Sequence, residues 1–305
     1  NGFLPFICCL NEEEQVHDKE NWPMANPSLA YFPHLMKEIE GEYAEWLEHP
    51  EQHGDFMTKR MGIRAGRREL GVTDYGKVLA TSGELPDMRG WPCTVGIDYA
   101  ELSDWAAVNF HFRKGDRRYD INHAWICAES KTLSRVKAPY RDWVRCGLAE
   151  MVEDVSIHPD LIADYILRAG RSYNIRMVAL DNFRWTLMAE SLKKIGFDAS
   201  DKARVKLVRP SDIMQVDPVI QECFDRGLFT WGDNPCLRWA VNNTKRVRSS
   251  KKIGVDTGNF IYAKIEAKSR KTDPFMALVA SMVCEERLST GTAAEIPPIG
   301  AIILR

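Results

Sequence analysis

The sequence predicts a mixed α/β domain, in which helices cover the faces of a sheet, preceded by a mostly helical segment. Three short apolar runs (93–98, 105–112 and 119–127) indicate consecutive antiparallel strands, and a Lys-Gly-Asp turn separates the last two. Strands and amphipathic helices then alternate along the chain. A three-stranded meander followed by such alternation is typical of a mixed sheet with helices on both faces.

The alternating region contains helices and strands with clear apolar periodicity. In chain order, the predicted elements are a helix over 160–173, a strand over 176–181, a helix over 185–195, a strand over 204–208, a helix over 211–226 and a last helix over about 274–286. Ser211 is expected to cap the helix that it begins, because serine is a favoured N-cap residue.

The first 75 residues are predicted to be helical and loop-like. Residues 34–47 place apolar side chains at helical spacing, whereas the stretch from Gly62 to Gly90 is rich in glycine and charge and indicates loops or a linker. The expected organisation is a helical segment over 1–75, a linker over 76–92, a domain over 93–288 and a flexible tail over 289–305.

Composition excludes some classes of protein. Hydrophobic residues make up 45% of the chain and charged residues 28%, as in ordinary globular domains, and no apolar run approaches the roughly 20 residues that span a bilayer. The eight cysteines include no CxxC pair, which argues against a structural zinc site. The sequence begins with Asn1 rather than methionine, and we interpret it as part of a longer protein.

The net charge of −2 hides an uneven distribution of charge. Residues 1–60 contain 12 acidic and 4 basic side chains, whereas residues 202–271 contain 15 basic and 7 acidic ones. The basic stretch is compatible with a polyanion-binding face or with an ordinary solvated surface. The candidate DNA-binding residues, five of them clustered in a hairpin-like segment, are Lys245, Arg246, Arg248, Lys251, Lys252 and Lys264.

Three aspartates stand at the boundaries of predicted elements. Asp98 follows the apolar run VGI, Asp181 follows MVAL, and Asp273 precedes the last helix. A carboxylate at the end of a buried strand is costly unless it is paired or binds a cation. If the three meet at one edge of the sheet, they form a catalytic pocket for two Mg²⁺ or Mn²⁺ ions, which suits phosphodiester hydrolysis.

Each aspartate also has a purely structural interpretation. Asp98 can cap the turn that follows it, Asp181 can accept hydrogen bonds from the start of the next helix, and the pair Asp273-Pro274 suits the N-cap and first positions of a helix. A fourth acid, Asp104, can approach the metals or close a turn, and the turn is the favoured interpretation.

Four motifs in series resemble the large terminase subunits of tailed bacteriophages. They are VGIDYAELSDWAAV, RMVALDNFRW, NPCLRWAVNN and KTDPFMALVASM. The upstream segments ENWPMANPSL and DFMTKRMGI resemble those that close the ATPase domain in these proteins and lead to the nuclease. The resemblance covers the chain from about Phe6 to about Glu286.

The resemblance implies an RNase H-like endonuclease that cuts concatemeric phage DNA during packaging, with two divalent metal ions and little sequence specificity. By motif, the metal-binding aspartates of the family fall on Asp98, Asp181 and Asp273, and a further family aspartate and a lysine fall on Asp104 and Lys264. The implied partners are double-stranded DNA and, in the intact protein, the ATPase domain, the portal ring and the small terminase subunit. The implied location is the host cell cytoplasm.

The sequence differs from the usual family motifs at two places, and it lacks one motif of the family's ATPase domain. DNFRW replaces the more usual Asp-Pro-Trp, and Gly62 stands where asparagine is common, although neither change removes a carboxylate. The chain contains no GxxxxGK[ST] phosphate loop, so no nucleotide cofactor is expected. Another RNase H-like nuclease, such as a resolvase or recombinase, and a non-catalytic DNA-binding packaging scaffold are the alternatives.

Overall fold

A computed structural model of the chain describes residues 7–49, 53, 55–63, 71–99, 105–249, 259–266 and 269–288. The protein divides into two compact units, Asn1–Glu69 and Leu70–Arg305. Among the described residues, no helix combines the length and apolar character needed to cross a bilayer.

The first unit consists of short helices around a small apolar core, as the sequence predicts. Its helices are the 3₁₀ helices Glu13–His17, Lys19–Asn21 and Pro27–Ala30 and the α-helices α1 (Trp22–Ala25), α2 (Pro33–Glu48) and α3 (Phe56–Lys59). Trp22, Ile39 and Met61 are fully buried, and the Trp22 indole N–H donates to the Val16 carbonyl oxygen at 2.8 Å. The predicted helix over 34–47 is confirmed, because α2 extends it by one residue at each end.

The expected linker over 76–92 differs from what the structure shows. Residues Tyr75–Ala80 form a short helix, α4, and Val78 on this helix is fully buried in an apolar cluster of the second unit. The segment therefore belongs to the second unit and does not connect two separate bodies. The glycines suggested loops, but burial of Val78 stabilises a helix that local propensity alone would not predict.

A mixed sheet forms the centre of the second unit, as predicted. Its strands are β1 (Pro92–Asp98), β2 (Trp105–Lys114), β3 (Arg117–Cys127), β4 (Ala149–Val152), β5 (Asn174–Asp181), β6 (Val205–Val208) and β7 (Phe229–Thr230). The spatial order is β4-β3-β2-β1-β5-β6, and β7 pairs with β3. The meander β1-β2-β3 is antiparallel, whereas β4 and β7 run parallel to β3 and β5 runs parallel to both β1 and β6.

Helices cover both faces of this sheet. They are α5 (Tyr140–Arg145), α6 (Pro159–Ala169), α7 (Trp185–Lys194), α8 (Pro210–Asp225), α9 (Pro235–Asn242) and α10 (Asp273–Met282), with 3₁₀ helices at Leu133–Arg135 and Glu285–Leu288. The prediction that Ser211 caps α8 is wrong. The N-cap residue is Arg209, whose backbone N–H donates to the Asp212 carboxylate at 2.7 Å, so Ser211 already lies inside the helix.

One face of the sheet is apolar. Ile97 of β1 and Leu180 of β5 lie side by side in its core, and Ile162 of α6 and Leu192 of α7 belong to the same buried cluster. All four side chains are at most 2% exposed. Since successive strand residues point to opposite faces, the neighbours of Ile97 and Leu180 point away from this core.

The last helix, α10, packs on the opposite face along β1. The Thr94 hydroxyl donates to the Ser281 carbonyl oxygen at 2.9 Å. A Cβ atom at Gly96 would collide with the Ala277 carbonyl oxygen and the Ser281 amide nitrogen, so helix and strand backbones touch at this glycine. The Asn122 side-chain amide also donates to the Pro274 carbonyl oxygen, at 2.9 Å.

This face has apolar parts, around Ala107 and Met177, and it also buries a group of polar side chains. The Asn109 side-chain amide donates to the Asp120 carboxylate at 2.8 Å and to the Ser281 hydroxyl at 2.9 Å, and His111 contacts the same Asp120 oxygen at 2.8 Å. Beyond α10, Glu285 accepts from Arg118 at 2.7 Å. These directional bonds fix where α10 sits on the sheet.

Candidate active site

Two of the three predicted aspartates meet at the carboxyl ends of neighbouring parallel strands. Ile97 of β1 is in register with Leu180 of β5, so Asp98 and Asp181 are the next residues on strands about 4.8 Å apart. Because Ile97 and Leu180 face the apolar core, both aspartates face the side that carries α10. The two residues line one cavity of about 420 Å³.

A tight turn holds the backbone after β5. One carboxylate oxygen of Asp181, Oδ1, accepts the backbone N–H of Phe183 at 2.7 Å, and the Asp181 carbonyl oxygen accepts the backbone N–H of Arg184 at 3.0 Å. The donor Phe183 lies in the turn before α7 and not in the helix itself. This bond does not conflict with a ligand role for Asp181, because a carboxylate can accept several bonds at once.

The third aspartate lies at the start of α10 and is only 5% exposed. Its expected role as an N-cap is wrong by one position, since Thr272 is the N-cap residue and Asp273 and Pro274 are the first two helical residues. Burial raises the pKa of the Cys236 thiol, and the charge of Asp273 raises it further.

The register of α10 on β1 indicates the end of the sheet at which Asp273 lies. From the Thr94–Ser281 contact to the Gly96–Ala277 contact, two strand residues accompany four helix residues. That is about 6.6 Å of strand against about 6 Å of helix. One further step leads from Gly96 to Asp98 and from Ala277 to Asp273, so both acids belong to the same end of this pair.

The three carboxylates nevertheless do not all line the same cavity. Asp98 and Asp181 line the cavity, whereas Asp273 is not among its lining residues. Within the described ranges, no group of three or more His, Cys, Asp or Glu side chains is arranged to hold a metal ion together. Asp104 lies outside the described residues. The donor set of two adjacent carboxylates fits hard divalent cations, whose preferred ligands are oxygen atoms.

The predicted basic residues fall on a two-stranded hairpin, β8 (Thr244–Arg248) and β9 (Phe260–Lys264), although Lys251 and Lys252 lie outside the described residues. Lys245 and Arg248 lie on β8, and Lys264 lies on β9 opposite Thr244.

Arg246 has a structural role within this hairpin. Its guanidinium donates to both oxygens of the buried Asp217, at 2.9 and 2.6 Å, and lies 4.0 Å from the ring centre of Phe260. The buried hydroxyl of Tyr262 donates to the same carboxylate at 2.7 Å. Arg246 therefore attaches the hairpin to α8, and Lys245, Arg248 and Lys264 remain as the described candidates for contact with DNA.

Sequence reasoning overlooked three residues around the aspartates. Phe183 and Arg184 line the cavity, and Lys271, two residues before Asp273, is only 5% exposed. For Lys271 a signal exists in the sequence, because a lysine next to an acid that is expected to be buried is a candidate for neutralising it. The sequence contains no such signal for Phe183, because its position at the cavity depends on the turn that follows β5.

A mixed sheet with a β1-β2-β3 meander, parallel β5 and β6 strands, and acidic residues at the strand ends defines an RNase H-like fold. The family described as "Terminase large subunit, endonuclease domain" matches residues 1–285, and the chain belongs to this family. The match includes the first unit as well as the second. Family membership confirms the resemblance that the four motifs carry and supports a nuclease role in phage genome packaging.

Two curated relatives and one solved structure are similar to this chain. The terminase large subunits of Lactococcus phages SK1 and p2 are each 23% identical over 279 residues, which covers 90% of this chain and 49% of each relative. The crystal structure of the HK97 bacteriophage large terminase has a TM-score of 0.60 at 17% identity, and the match covers 91% of this chain and 56% of that one. The chain thus spans about half the length of the curated relatives it matches.

Proposed function

We propose that this chain is a metal-dependent endodeoxyribonuclease that hydrolyses phosphodiester bonds of double-stranded DNA with little sequence specificity. The observation that carries the proposal is the pairing of Asp98 and Asp181 at adjacent strand ends, on one face and in one cavity. Membership of the terminase endonuclease family supports the same reaction.

In this proposal Asp98, Asp181 and Asp273 bind two Mg²⁺ or Mn²⁺ ions. When bound, such ions lower the pKa of a coordinated water and stabilise charge on the attacking and leaving oxygens. Asp98 and Asp181 supply oxygen ligands from a rigid sheet, and Asp273 contributes a buried charge from α10. Lys271 balances the negative charge at this end of the helix, and Lys245, Arg248 and Lys264 bind the DNA backbone without reading its bases.

The biological substrate in this proposal is concatemeric phage DNA, cut during genome packaging in the host cell cytoplasm. The intact protein would join this chain to an ATPase domain and act with a portal ring and a small terminase subunit. The helical segment over 1–75 is proposed to be the end of that ATPase domain. Its division from the rest of the chain at residue 69 is compatible with this assignment.

Nicking of supercoiled plasmid in the presence of Mn²⁺ or Mg²⁺ tests the proposal. We expect Asp98→Asn and Asp181→Asn each to lower the nicking rate by at least a hundredfold, because removing a charged metal ligand removes transition-state stabilisation of several kcal/mol. Binding of DNA, measured by fluorescence anisotropy, should remain within about threefold of wild type. Asp273→Asn should show the same loss if its carboxylate completes the site.

Asp116→Asn is the matched control, because Asp116 is exposed in the β2–β3 turn at the opposite end of the sheet. Its nicking rate should equal that of wild type. Undiminished cutting by Asp98→Asn or Asp181→Asn would exclude the proposed site. A strong preference for branched over linear DNA would favour a resolvase, and DNA binding without any cutting by wild type would favour a packaging scaffold.

A further inference from the structure

A large aromatic side chain stands exposed at the rim of the candidate active site. Phe183 is 80% exposed, comes two residues after Asp181 and lines the same cavity as Asp98 and Asp181. Leaving a phenylalanine in water forgoes about 1.5–3 kcal/mol of burial free energy. Single exposed apolar residues are common on protein surfaces, so the position of Phe183 next to the carboxylates is the informative observation.

The backbone holds Phe183 in a defined place. Its N–H donates to Asp181 Oδ1 at 2.7 Å, and α7 begins two residues later at Trp185. Met188 and Leu192 of α7 are fully buried, which anchors the helix that follows the turn. The ring is therefore carried by the same short turn that carries the Asp181 carboxylate, close to the site of the proposed reaction.

The other residues of the cavity divide into a charged side and an apolar side. Arg184 is exposed at the rim and forms no ion pair within the described part of the chain. On the face that carries α10, the apolar lining residues are Val208, Ile213, Met276, Val279 and Ala280. A site that bound phosphate groups alone would gain little from this apolar wall. A nucleotide has both a phosphate and a flat apolar base, and the cavity offers contacts for each.

We propose that Phe183 stacks on an unpaired base next to the phosphodiester that is cut, and that Arg184 binds a neighbouring phosphate. The preferred substrate of this site is then double-stranded DNA in which one strand is locally unpaired at the cut. This inference rests on the proposed nuclease function and specifies its preferred substrate.

The magnitudes favour discrimination between paired and unpaired DNA. Stacking of a base on an aromatic side chain contributes about 1–3 kcal/mol, which corresponds to roughly 5- to 150-fold in affinity. A paired base must first leave the helix, and unstacking costs a few kcal/mol. The net gain from Phe183 is therefore large for an unpaired base and close to zero for a paired one.

Binding to two synthetic DNAs tests the proposal. One is a matched 30-base-pair duplex, and the other is the same duplex with a central three-nucleotide bubble that contains 2-aminopurine. Affinity is measured by anisotropy and stacking by 2-aminopurine fluorescence, both in EDTA, so that no cutting occurs. We expect Phe183→Ala to weaken binding to the bubble at least fivefold and binding to the matched duplex less than twofold.

Two further variants make the result specific to the ring. Phe183→Tyr should restore both affinity and fluorescence change, whereas Phe183→Leu, which keeps apolar bulk without an aromatic face, should behave as Phe183→Ala does. Tyr75→Ala is the matched control, because Tyr75 is 61% exposed on α4 and does not line the cavity. It should bind both DNAs as wild type does.

Equal weakening of both DNAs by Phe183→Ala, or no weakening of either, would overturn this inference. The nicking assay on the aspartate variants distinguishes this failure from failure of the proposed function. If those variants lose activity while Phe183→Ala binds as wild type does, only the stacking role is wrong. If they cut normally, the nuclease assignment is wrong, whatever the anisotropy shows.

Discussion

The two faces of the central sheet are built by different physical principles. The face toward α6 and α7 is packed with apolar side chains, among them Ile97, Leu180 and Ile162. The face toward α10 also contains apolar clusters, but it differs in burying a polar network, in which Asn109 contacts Asp120 and Ser281. Apolar burial has little directional preference, whereas hydrogen bonds between buried groups tolerate only small displacements.

This difference indicates which face of the sheet positions the candidate metal ligands. All three candidate carboxylates belong to the α10 face, and Asp273 is carried by α10 itself. We infer that the apolar face contributes most of the stability, while the polar face determines where Asp273 lies relative to Asp98. We therefore predict that mutations on the apolar face lower stability without lowering activity, whereas mutations on the α10 face also lower activity.

The largest effect is expected for Gly96→Ala. The new Cβ atom would collide with the backbone of α10 at Ala277 and Ser281, and neither backbone can yield without moving the helix. We expect a loss of about 3 kcal/mol or more in the free energy of unfolding, and at least a hundredfold lower nicking rate even in the fraction that folds. Urea denaturation and plasmid nicking measure the two quantities.

Gly76→Ala is the control for this prediction, because Gly76 lies in α4 of the same unit with open space around it. It should be neutral or slightly stabilising. Normal cutting by Gly96→Ala would show that the position of α10 does not matter for the reaction.

A similar loss of stability without a loss of activity is expected on the apolar face. Ile162 is fully buried in α6, and Ile162→Ala removes three carbon atoms from a packed core. The free energy of unfolding should fall by about 3 kcal/mol, while the nicking rate per folded molecule stays within twofold of wild type. The control is Val155→Ala at a position that is 54% exposed, where less than about 0.5 kcal/mol should be lost. A nicking loss comparable to that of Gly96→Ala would contradict the division of roles between the faces.

The contribution of the α10 face to the free energy of unfolding should depend on pH, whereas that of the apolar face should not. Burial alone would lower the pKa of His111, but Asp120 and Glu285 raise it to about 9. Arg118 and Arg113 also contact Glu285, at 2.7 and 2.8 Å. Because the pKa in the folded state lies above the value of 6.5 for the unfolded chain, the stabilisation is complete below pH 6.5 and is lost as the pH rises through about 9.

His111→Gln tests this through the free energy of unfolding at several pH values. The variant should be less stable than wild type by about 3 kcal/mol at pH 6, and the difference should narrow between pH 6.5 and 9. His34→Gln, at an exposed position of α2, should leave the pH profile unchanged. A difference that does not vary with pH would mean that His111 acts only through packing.

The sequence predicts the sheet better than it predicts what covers the sheet. The meander, β5 and β6 follow from apolar runs, but β7 has only two residues, too few to show a period, and β4 follows no longer apolar run that would mark it as a strand. Asn109, His111 and Asp120 are polar residues of the strands, and nothing in the local pattern shows that they are fully buried. That burial depends on contacts between residues far apart in the chain, which local patterns do not contain.

The candidate site shows the same limit. Asp98 and Asp181 could be predicted as neighbours because both follow apolar strands, and their shared face follows from the alternation of side chains. The N-cap at Thr272 instead of Asp273 depends on local geometry at the start of α10. The exposure of Phe183 depends on a turn, and the attachment of Arg246 to Asp217 depends on how the hairpin meets α8.

The contact between Gly96 and α10 has a consequence for protein synthesis. The strand that bears Asp98 leaves the ribosome long before the helix that bears Asp273, and most of the second unit is translated between them. In the proposed site a nascent chain therefore holds an incomplete set of metal ligands until its last helix docks on the glycine. Under the proposed function, cutting would therefore begin only after α10 has docked on β1.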